Sequence, residues 1–473
     1  MPHVSERPKP FLFPEYCKGC GRCISVCAKH SIHYAEHINP RTGVVPIEID
    51  LETCNACGLC MDACPEPYGL IGRPPDATDW ELEDPTHLFG RRHTSAPEPY
   101  DIPDERVPLP ECVPLVVKGN YAASIGALLA GCRHFFGYPI TPSTEGAELM
   151  AALLPKVQGV FLQAVSEVAT VNHMYGAASA GQRSMTFTSS PGFSLMLEGI
   201  SYMIGAELPG VFIDIMRGGP GLGNIAPEQT DIKLACHGLG HGNTHALVFA
   251  PSTPQEMLDM TMRAFDLSFK YRNPVIILGD GYLGQMTGRV VLPREMVKPG
   301  IPKWAVWGDE MHRSNLTSSI MLLESDLEAH NAHLTAKYAA MRVEAMADCF
   351  MCDDAEVVIV ACNTPARMAK GAVQELRNSG VKAGLFRPQT LWPFPIDAFL
   401  PLLAHAERIV MVEASEGQLE NELRLALSHA GVVPPRIETV RRMGGHLPQQ
   451  HEIVTGIMAP GHARALAGNE VVA

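Results

Sequence analysis

Apolar residues between positions 163 and 223 follow two spacings, one typical of helices and the other of strands. Helical spacing covers 165–174 and again 196–204, which predicts two buried helices. The short segment 184–188 predicts a strand, and the mostly apolar segment 211–216 predicts a second, buried strand. This alternation is typical of an α/β domain, in which a parallel sheet is covered by helices.

Two charged residues in this segment are candidates for function. Glu167 lies between Val165 and Val168 in the first predicted helix, and Arg217 follows the second predicted strand and opens a glycine-rich turn, 218–223. A buried carboxyl costs several kcal/mol unless a partner holds its proton or charge, and a heterocyclic cofactor offers one defined hydrogen bond. The alternative is that Glu167 is a helix-face acid paired with a nearby base.

The remaining α/β pattern separates into two groups of elements on either side of an irregular stretch, 287–324. The first group predicts helix 121–130, strand 134–138, helix 145–154, a helix ending near 271 and strand 275–278. A long helix, 325–346, follows the irregular stretch. The second group predicts strand 357–361, helix 366–378, strand 383–386, strand 408–412 and helix 418–429, which is a separate small doubly wound domain.

Eight cysteines near the N-terminus form two runs with the spacing C-x2-C-x2-C-x3-C. They are Cys17, Cys20, Cys23, Cys27, Cys54, Cys57, Cys60 and Cys64. Such runs suit two 4Fe–4S clusters in which each triplet takes its fourth ligand from the other run, so that Cys64 completes the first cluster and Cys27 the second. Structural zinc is the alternative, but it requires four ligands per site rather than a doubled run. The module resembles a bacterial two-cluster ferredoxin.

The predicted organisation has five parts. They are a 2×4Fe–4S ferredoxin domain, 1–68; a proline-rich linker, 69–114; a first α/β domain, 115–290; a connector with a long helix, 291–350; and a second α/β domain, 351–473. The length of 473 residues agrees with several domains.

Composition excludes some functions. The net charge of −14 argues against nucleic acid as the main partner. No apolar run is long enough to cross a bilayer, and the first residues show no secretory pattern. We therefore expect a cytoplasmic protein, in which 14 cysteines serve as cluster ligands or free thiols more readily than as disulfides.

Three motifs together resemble one family. The loop Tyr138-Pro139-Ile140-Thr141-Pro, the segment around Glu167 and the turn that begins at Arg217 are similar to the α subunit of thiamine-diphosphate-dependent 2-oxoacid:ferredoxin oxidoreductases. The resemblance implies a pyrimidine-type thiamine-diphosphate domain, then a transketolase C-terminal-like α/β domain, after a small α+β ferredoxin-like domain.

The resemblance also implies roles for these residues. Glu167 would hydrogen-bond the aminopyrimidine ring of thiamine diphosphate, and the loop residues Tyr138, Pro139 and Ile140 would line the cofactor. Thr141 would contact the carbonyl region of the substrate, and Arg217 would bind its carboxylate, a task that suits the planar fork of a guanidinium. The alternatives are that Thr141 is only a helix N-cap, and that Arg217 pairs with Glu228 or Asp231.

The implied reaction is the oxidative decarboxylation of a 2-oxoacid with coenzyme A, with electrons passing through the 4Fe–4S clusters to ferredoxin or another acceptor. The implied substrate is branched-chain (2-oxoisovalerate), aryl (phenylglyoxylate-type) or 2-oxoglutarate. Two rival functions remain: an electron-transfer module on a non-catalytic scaffold, and an NAD-linked dehydrogenase. The second is weak because Pro220 interrupts the glycine spacing and no acid follows at the expected distance.

Partner chains are implied by a motif that is incomplete. Gly279-Asp280-Gly281 is the start of a magnesium and diphosphate motif, but no asparagine follows at the required interval. We therefore expect a β subunit that carries the diphosphate and Mg²⁺, and a γ subunit. The pair Cys349 and Cys352 is a weak redox or metal signal, with free thiols as the alternative.

Overall fold

The computed structural model describes residues 7–66, 69–73, 99–309, 311–312 and 315–458. Residues 74–98 of the predicted linker and 459–473 of the predicted last domain lie outside the described residues. The chain divides into two compact units, and these are described separately. The first comprises Met1–Glu98 with Ile320–Ala332, and the second comprises Pro99–Ser319 with His333–Ala473.

The first unit is a small α+β domain built around two pairs of antiparallel strands. β1 (Lys9–Leu12) pairs with β4 (Leu70–Arg73), and β2 (Ile32–Tyr34) pairs with β3 (Ile47–Ile49). The short helices α1 (Arg22–Val26) and α2 (Leu59–Ala63) complete it. Its core contains Cys23, Ile32, Ile47, Cys60 and Leu70, so one cysteine from each run is buried inside the domain.

The second unit contains a seven-stranded sheet with the order β18-β11-β12-β10-β9-β7-β8. All neighbouring strands are parallel except β11 and the edge strand β18. The strands are β7 (His134–Gly137), β8 (Val160–Gln163), β9 (Ser184–Thr188), β10 (Gly210–Met216), β11 (Leu247–Phe249), β12 (Pro274–Asp280) and β18 (Thr390–Trp392). Every residue of β10 and β12 is buried, as expected for a sheet covered on both faces.

Helices cover this sheet and begin close to its carboxyl edge. They are α3 (Gly119–Leu129), α4 (Thr144–Leu153), α5 (Glu167–Ser179), α6 (Ser190–Gly205), α7 (Ile232–His237), α8 (Pro254–Tyr271) and α9 (Gly281–Gln285). The predicted strand 184–188 is confirmed to the residue, and the predicted helix 196–204 lies inside α6. The register pairs the carboxyl ends of β9, β10 and β12 at one edge of the sheet.

A five-stranded sheet forms the second α/β domain, with the order β15-β17-β16-β19-β20. Its strands are β15 (Ala347–Phe350), β16 (Val357–Val360), β17 (Ala383–Pro388), β19 (Arg408–Glu413) and β20 (Arg436–Arg441). Only the β15–β17 pair is antiparallel in this sheet. Its helices are α11 (Asn363–Asn378), α12 (Ile396–Phe399), α13 (Gln418–His429) and α14 (Gln450–Met458). The predicted doubly wound pattern is therefore confirmed.

The stretch 287–324 was predicted to be irregular, and this is wrong for its first part. β13 (Thr287–Val290) pairs with β6 (Leu115–Lys118), and β14 (Glu295–Lys298) pairs with β5 (Glu105–Pro108). These antiparallel pairs join segments far apart in sequence, which local patterns cannot reveal. The long helix α10 (Glu324–Met341) ends five residues before the predicted position.

Direct contacts join the two α/β domains. β18 leaves the second domain and extends the seven-stranded sheet beside β11. The Asn363 side chain donates to the carbonyl of Leu278 at 2.7 Å, and Thr364 Oγ1 donates to Asp280 Oδ1 at 2.8 Å. None of the described helices is both long and apolar enough to cross a membrane.

Candidate functional site

Glu167 is buried at the first residue of α5. Its side chain is 5% exposed, whereas the flanking Val165 is 88% exposed and Val168 is 44% exposed. The expectation that both valines pack in the core with the helix is therefore wrong. The reason is local: Ser166 caps the helix by accepting a hydrogen bond from the amide of Ala169, so Val165 precedes the helix and does not share its buried face.

The carboxylate of Glu167 makes no hydrogen bond or ion pair with any of the described residues, so the alternative of a neighbouring base is not supported. The carboxylate lies against the first turn of α6, at a position where Gly192 has no side chain. A Cβ on Gly192 would come within 2.5 Å of Glu167 Oε1 and closer still to Thr188 Oγ1. Thr188 Oγ1 is itself buried and has no partner among the described residues. Thr188 Oγ1 and the Glu167 carboxylate therefore both border the space left open at Gly192.

The loop before α4 fixes the main chain around Thr141. Tyr138 and Pro139 are exposed and Ile140 is half-buried, and the Thr141–Pro142 peptide is cis. The side-chain amide of Asn120 donates to the Pro142 carbonyl at 2.9 Å. This contact with the buried Asn120 anchors the loop to the interior of the domain.

Thr141 is not the helix N-cap. Ser143 occupies the cap position and α4 begins at Thr144, so this alternative is wrong. Thr141 is exposed, and its carbonyl accepts a hydrogen bond of 2.7 Å from Arg217 Nη1. The structure thus brings two of the predicted site residues into direct contact.

Arg217 follows β10 and is 8% exposed. Nη1 donates to the Thr141 carbonyl and Nη2 donates to the Leu222 carbonyl at 3.2 Å, while the buried Nε has no partner among the described residues. The main-chain amide of Arg217 donates to Ser190 Oγ at 3.1 Å. Ser190 and Gly192 belong to the same turn of α6, so Arg217 and Glu167 both lie against that turn.

The alternative that Arg217 pairs with a following acid is wrong in the described part of the chain. Glu228 accepts hydrogen bonds from the amides of Gly219 at 3.0 Å and Gly444 at 2.8 Å, so main-chain groups occupy it. Asp231 accepts from the Ser190 hydroxyl. The glycine-rich turn itself is not followed by a helix until α7, unlike a dinucleotide-binding turn.

Asp280 makes the contacts of a structural residue, which agrees with the absence of the asparagine that would complete its motif. It is completely buried, caps α9 by accepting from the amides of Tyr282 at 3.0 Å and Leu283 at 2.9 Å, and also binds Thr364. Burial raises the pKa of Asp280, and these donors oppose the rise.

Other histidine and cysteine side chains of the second unit make ordinary contacts. His237 forms an ion pair with Glu422 at 2.9 Å, and that hydrogen bond raises the pKa of the histidine. The ring of His245 stacks on Trp392 with centroids 4.6 Å apart. Cys349 is exposed and Cys352 is buried, and burial raises the pKa of both thiols.

The first unit contains a small pocket. Four of its lining residues are cysteines: Cys17, Cys20, Cys23 and Cys64. In the described residues no three His, Cys, Asp or Glu side chains converge closely enough to hold one metal ion. A cubane cluster is larger than a single ion and is held by thiolates spread around it, which suits a cavity lined in this way.

Sequence reasoning missed several of these residues. Thr188, Ser190 and Gly192 lie within the short run from Thr188 to Gly192 and are neither charged nor cysteine. The available signal is this cluster of small residues at a strand-to-helix junction, where the main chain approaches a ligand. Asn120 carries no local signal, because its role depends on a contact with Pro142.

Three segments of the chain match known families. Residues 125–349 match "Pyruvate flavodoxin/ferredoxin oxidoreductase, thiamine diP-bdg", residues 355–453 match "Pyruvate:ferredoxin oxidoreductase core domain II", and residues 16–67 match "4Fe-4S dicluster domain". The family descriptions therefore cover the ferredoxin-like domain and both α/β domains.

Individual relatives agree with these matches. The chain is 46% identical over 345 residues to the ketoisovalerate oxidoreductase subunit VorB of Methanothermobacter thermautotrophicus, covering 72% of this chain and 96% of the relative. It is 34% identical over 366 residues to the 2-oxoglutarate synthase subunit KorA of Methanocaldococcus jannaschii, covering 72% of this chain and 98% of that one.

A solved structure of 2-oxoglutarate:ferredoxin oxidoreductase from Magnetococcus marinus is also similar, with a TM-score of 0.64 and 26% identity. The match covers 73% of this chain and 65% of the other, which is less than two thirds of its length. These relatives favour the oxidoreductase interpretation over a non-catalytic scaffold. The chain belongs to the thiamine-diphosphate-dependent 2-oxoacid:ferredoxin oxidoreductases, as an α-type subunit with a fused two-cluster 4Fe–4S ferredoxin domain.

Proposed function

We propose that this subunit binds the aminopyrimidine end of thiamine diphosphate through Glu167, in a complex that oxidatively decarboxylates a branched-chain 2-oxoacid. The observation that carries the proposal is Glu167 itself, which is 5% exposed and forms no ion pair or hydrogen bond with the described residues. A proton shared between this carboxylate and a ring nitrogen of a bound heterocycle would give it the one partner that the protein does not supply. When bound, thiamine diphosphate supplies the electron sink that decarboxylation requires.

Arg217 has the donors to bind the carboxylate of the substrate. A guanidinium carries five N–H groups, and Arg217 uses two of them on the carbonyls of Thr141 and Leu222. Because Nε is buried, the N–H groups left on Nη1 and Nη2 form the edge that can bind both oxygens of a carboxylate. The carbonyl contacts orient this edge before the substrate arrives, and the exposed Thr141 hydroxyl can contact the substrate carbonyl.

A branched aliphatic substrate suits the turn beside Arg217. Leu222, whose carbonyl accepts from Arg217, is 81% exposed and Ile225 is exposed as well, so apolar side chains are available on the turn that follows the arginine. An apolar surface favours an isopropyl group over the second carboxylate of 2-oxoglutarate, which it would desolvate without a partner. The higher identity to the ketoisovalerate subunit than to the 2-oxoglutarate subunit supports the same choice.

The acyl acceptor is proposed to be coenzyme A, because the similar structure from Magnetococcus marinus has coenzyme A and succinyl-CoA bound. We further propose that a β subunit supplies the diphosphate and Mg²⁺ site, since Asp280 is fully engaged in capping α9 and binding Thr364. Copurification is expected to recover this β chain and a γ chain. Catalysis is expected only after the chains assemble, in the cytoplasm.

The electrons are proposed to leave through two 4Fe–4S clusters to ferredoxin or another acceptor. The first cluster would be held by Cys17, Cys20, Cys23 and Cys64, which line one cavity. Cys27, Cys54, Cys57 and Cys60 would hold the second. Cys64→Ser should then weaken the first cluster and Cys27→Ser the second, as seen by electron paramagnetic resonance, while Cys112→Ser, an exposed thiol outside both runs, should change neither.

The proposal is tested in the assembled complex by Glu167→Gln. We expect 2-oxoacid-dependent reduction of a viologen dye to fall by about a hundredfold or more, because glutamine cannot exchange a proton with the pyrimidine ring as a carboxyl group can. Iron content should stay unchanged. The matched control is Glu198→Gln, an exposed acid on α6. Nearly full activity of Glu167→Gln would refute the proposed role.

A panel of 2-oxoacids tests the substrate class separately. The kcat/KM for 2-oxoisovalerate should exceed that for 2-oxoglutarate by about tenfold or more, since pocket contacts of this size are worth one to three kcal/mol. A preference for 2-oxoglutarate would overturn the branched-chain assignment and leave the role of Glu167 standing.

A further inference from the structure

A buried acid that the proposed chemistry does not use lies three residues before Arg217. Asp214 belongs to β10, and no part of its side chain reaches solvent. Neither of its oxygens has a hydrogen-bond partner in the part of the chain that the structure describes. An ionised carboxylate in this position would cost several kcal/mol, so either a proton or a donor must be present.

Asp231 is the neighbour that explains this arrangement. It is 3% exposed and lies within hydrogen-bonding reach of Asp214. Asp231 Oδ2 accepts from the Ser190 hydroxyl, and Ser190 Oγ accepts from the main-chain amide of Arg217 at 3.1 Å. A chain of contacts therefore runs from Asp214 through Asp231 and Ser190 to the main chain of Arg217.

The two carboxylates of the pair cannot both be ionised in this buried site. Two ionised carboxylates in a buried site repel each other, and one shared proton turns that repulsion into a hydrogen bond. Burial and the charge of Asp231 raise the pKa of Asp214 well above its usual range, against the lowering effect of Arg217. Burial also raises the pKa of Asp231, with Glu228 adding to the rise and the Ser190 hydroxyl opposing it.

We propose that Asp214 and Asp231 share one proton, which Asp214 donates, and that the pair positions Arg217 for the substrate carboxylate. With one proton the pair carries a single negative charge instead of two, so the guanidinium keeps a positive potential towards the substrate. The link through Ser190 also fixes the point where β10 becomes the turn. This inference rests on the proposed role of Arg217 in binding the 2-oxoacid.

The proton is tested directly by infrared difference spectroscopy of the assembled complex. Subtracting the spectrum of Asp214→Asn from that of the unmodified complex at neutral pH should leave the carbonyl band of a protonated carboxylic acid. A difference that contains only carboxylate bands would show that Asp214 is ionised and would overturn the proposal. This measurement needs no substrate, so its outcome is independent of the proposed function.

The positioning role is tested by comparing Asp214→Leu with Asp214→Asn. Leucine fills the space but cannot donate to Asp231, and we expect the KM for the 2-oxoacid to rise about tenfold with a smaller change in kcat, since one hydrogen bond to a charged group is worth at least that much. Asparagine can donate as the protonated acid does, so it should recover most of the loss. Equal effects of the two variants would contradict the proposal.

The pH dependence of KM can be measured on the unmodified chain, which avoids the risk that a substituted chain fails to fold. As the pH rises and Asp214 loses its proton, the pair gains a second negative charge and KM should rise, whereas Asp214→Asn should lack this rise. The same alkaline rise in both proteins would overturn the proposal. If Arg217→Lys leaves KM unchanged while the acid band is present, the proposed function fails and the shared proton stands.

Discussion

The two α/β domains have the same architecture but differ in how the buried acids near the carboxyl edges of their sheets are satisfied. Near the edge of the seven-stranded sheet, Glu167 and Asp214 have no hydrogen-bond partner among the described residues. At the edge of the five-stranded sheet, Glu413 accepts from the Ser415 hydroxyl at 2.5 Å and from the amide of Leu419 at 2.9 Å. The two acids named at the first edge therefore lack a partner in the described part of the chain, whereas Glu413 at the second edge is satisfied by its own domain.

This difference separates residues that bind from residues that stabilise. A buried polar group is normally hydrogen-bonded, so one without a partner indicates a ligand, a proton or a water that completes it. Glu413 accepts from amides in the first turn of α13 and needs nothing further. Glu167 begins α5 while Ser166 performs the capping, so its carboxylate remains available.

The largest expected effect comes from Arg217. Arg217→Ala removes the proposed fork for the substrate carboxylate and also the ties to Thr141 and Leu222, so kcat/KM should fall by about a hundredfold or more. Arg217→Lys keeps the charge without the fork and should lose at least about tenfold. Steady-state kinetics of the assembled complex measures both.

The matched control for this change lies in the other sheet. Arg441 ends β20 and pairs with Glu416 at 3.0 Å, so Arg441→Ala should leave kcat/KM within about twofold. If Arg441→Ala and Arg217→Ala reduce activity equally, the contrast between the two edges is wrong.

A smaller effect is expected from Gly192→Ala. The added methyl group would overlap Glu167 Oε1 and Thr188 Oγ1, so the carboxylate must move. A displacement of this size should reduce activity about tenfold or more and weaken thiamine diphosphate binding. Titration of the apo complex with the cofactor measures the binding.

Gly371→Ala on α11 is the corresponding change in the second domain. Its methyl group would meet the end of the Gln450 side chain, which is flexible and exposed and can move away. Activity should be unchanged. An unchanged cofactor affinity in Gly192→Ala as well would mean that Gly192 does not control the position of Glu167.

The smallest effect on activity, and a clear one on stability, is expected from Glu413→Gln. Burial raises the pKa of Glu413 from 4.5 to about 7, so the native state holds its proton more tightly than the unfolded chain does. Its contribution to stability is therefore complete below pH 4.5 and is lost as the pH rises to about 7, by roughly 3 kcal/mol at most.

Glu413→Gln has no such proton, so the fall in unfolding free energy over that pH range should be smaller than in the unmodified protein. Chemical denaturation at several pH values measures it. Identical pH profiles would show that Glu413 titrates as an ordinary surface acid, and the description of the five-stranded edge would then be incorrect.

Sequence alone could predict the features that depend on nearby residues. The cysteine spacing is local, and so are the strand patterns at 184–188 and 211–216, because apolar periodicity reflects burial directly. The doubly wound order of both domains follows from the succession of these elements. The pairing of β13 with β6 does not, since it joins residues more than a hundred positions apart.

The candidate site depended on contacts that sequence does not contain. Val165 was placed in the core because its spacing fits the helix, but the Ser166 cap leaves it outside. The sequence offers Glu228 as a partner for Arg217, but in the structure its carboxylate accepts hydrogen bonds from the amides of Gly219 and Gly444 instead. Resemblance identified Glu167, whereas its lack of a partner could be seen only in three dimensions.

The most direct test of the account is a structure of the assembled complex with thiamine diphosphate. We predict that a Glu167 carboxylate oxygen lies about 3 Å from a ring nitrogen of the aminopyrimidine, within ordinary hydrogen-bonding distance. A coenzyme bound elsewhere, with Glu167 facing protein atoms or water, would contradict it.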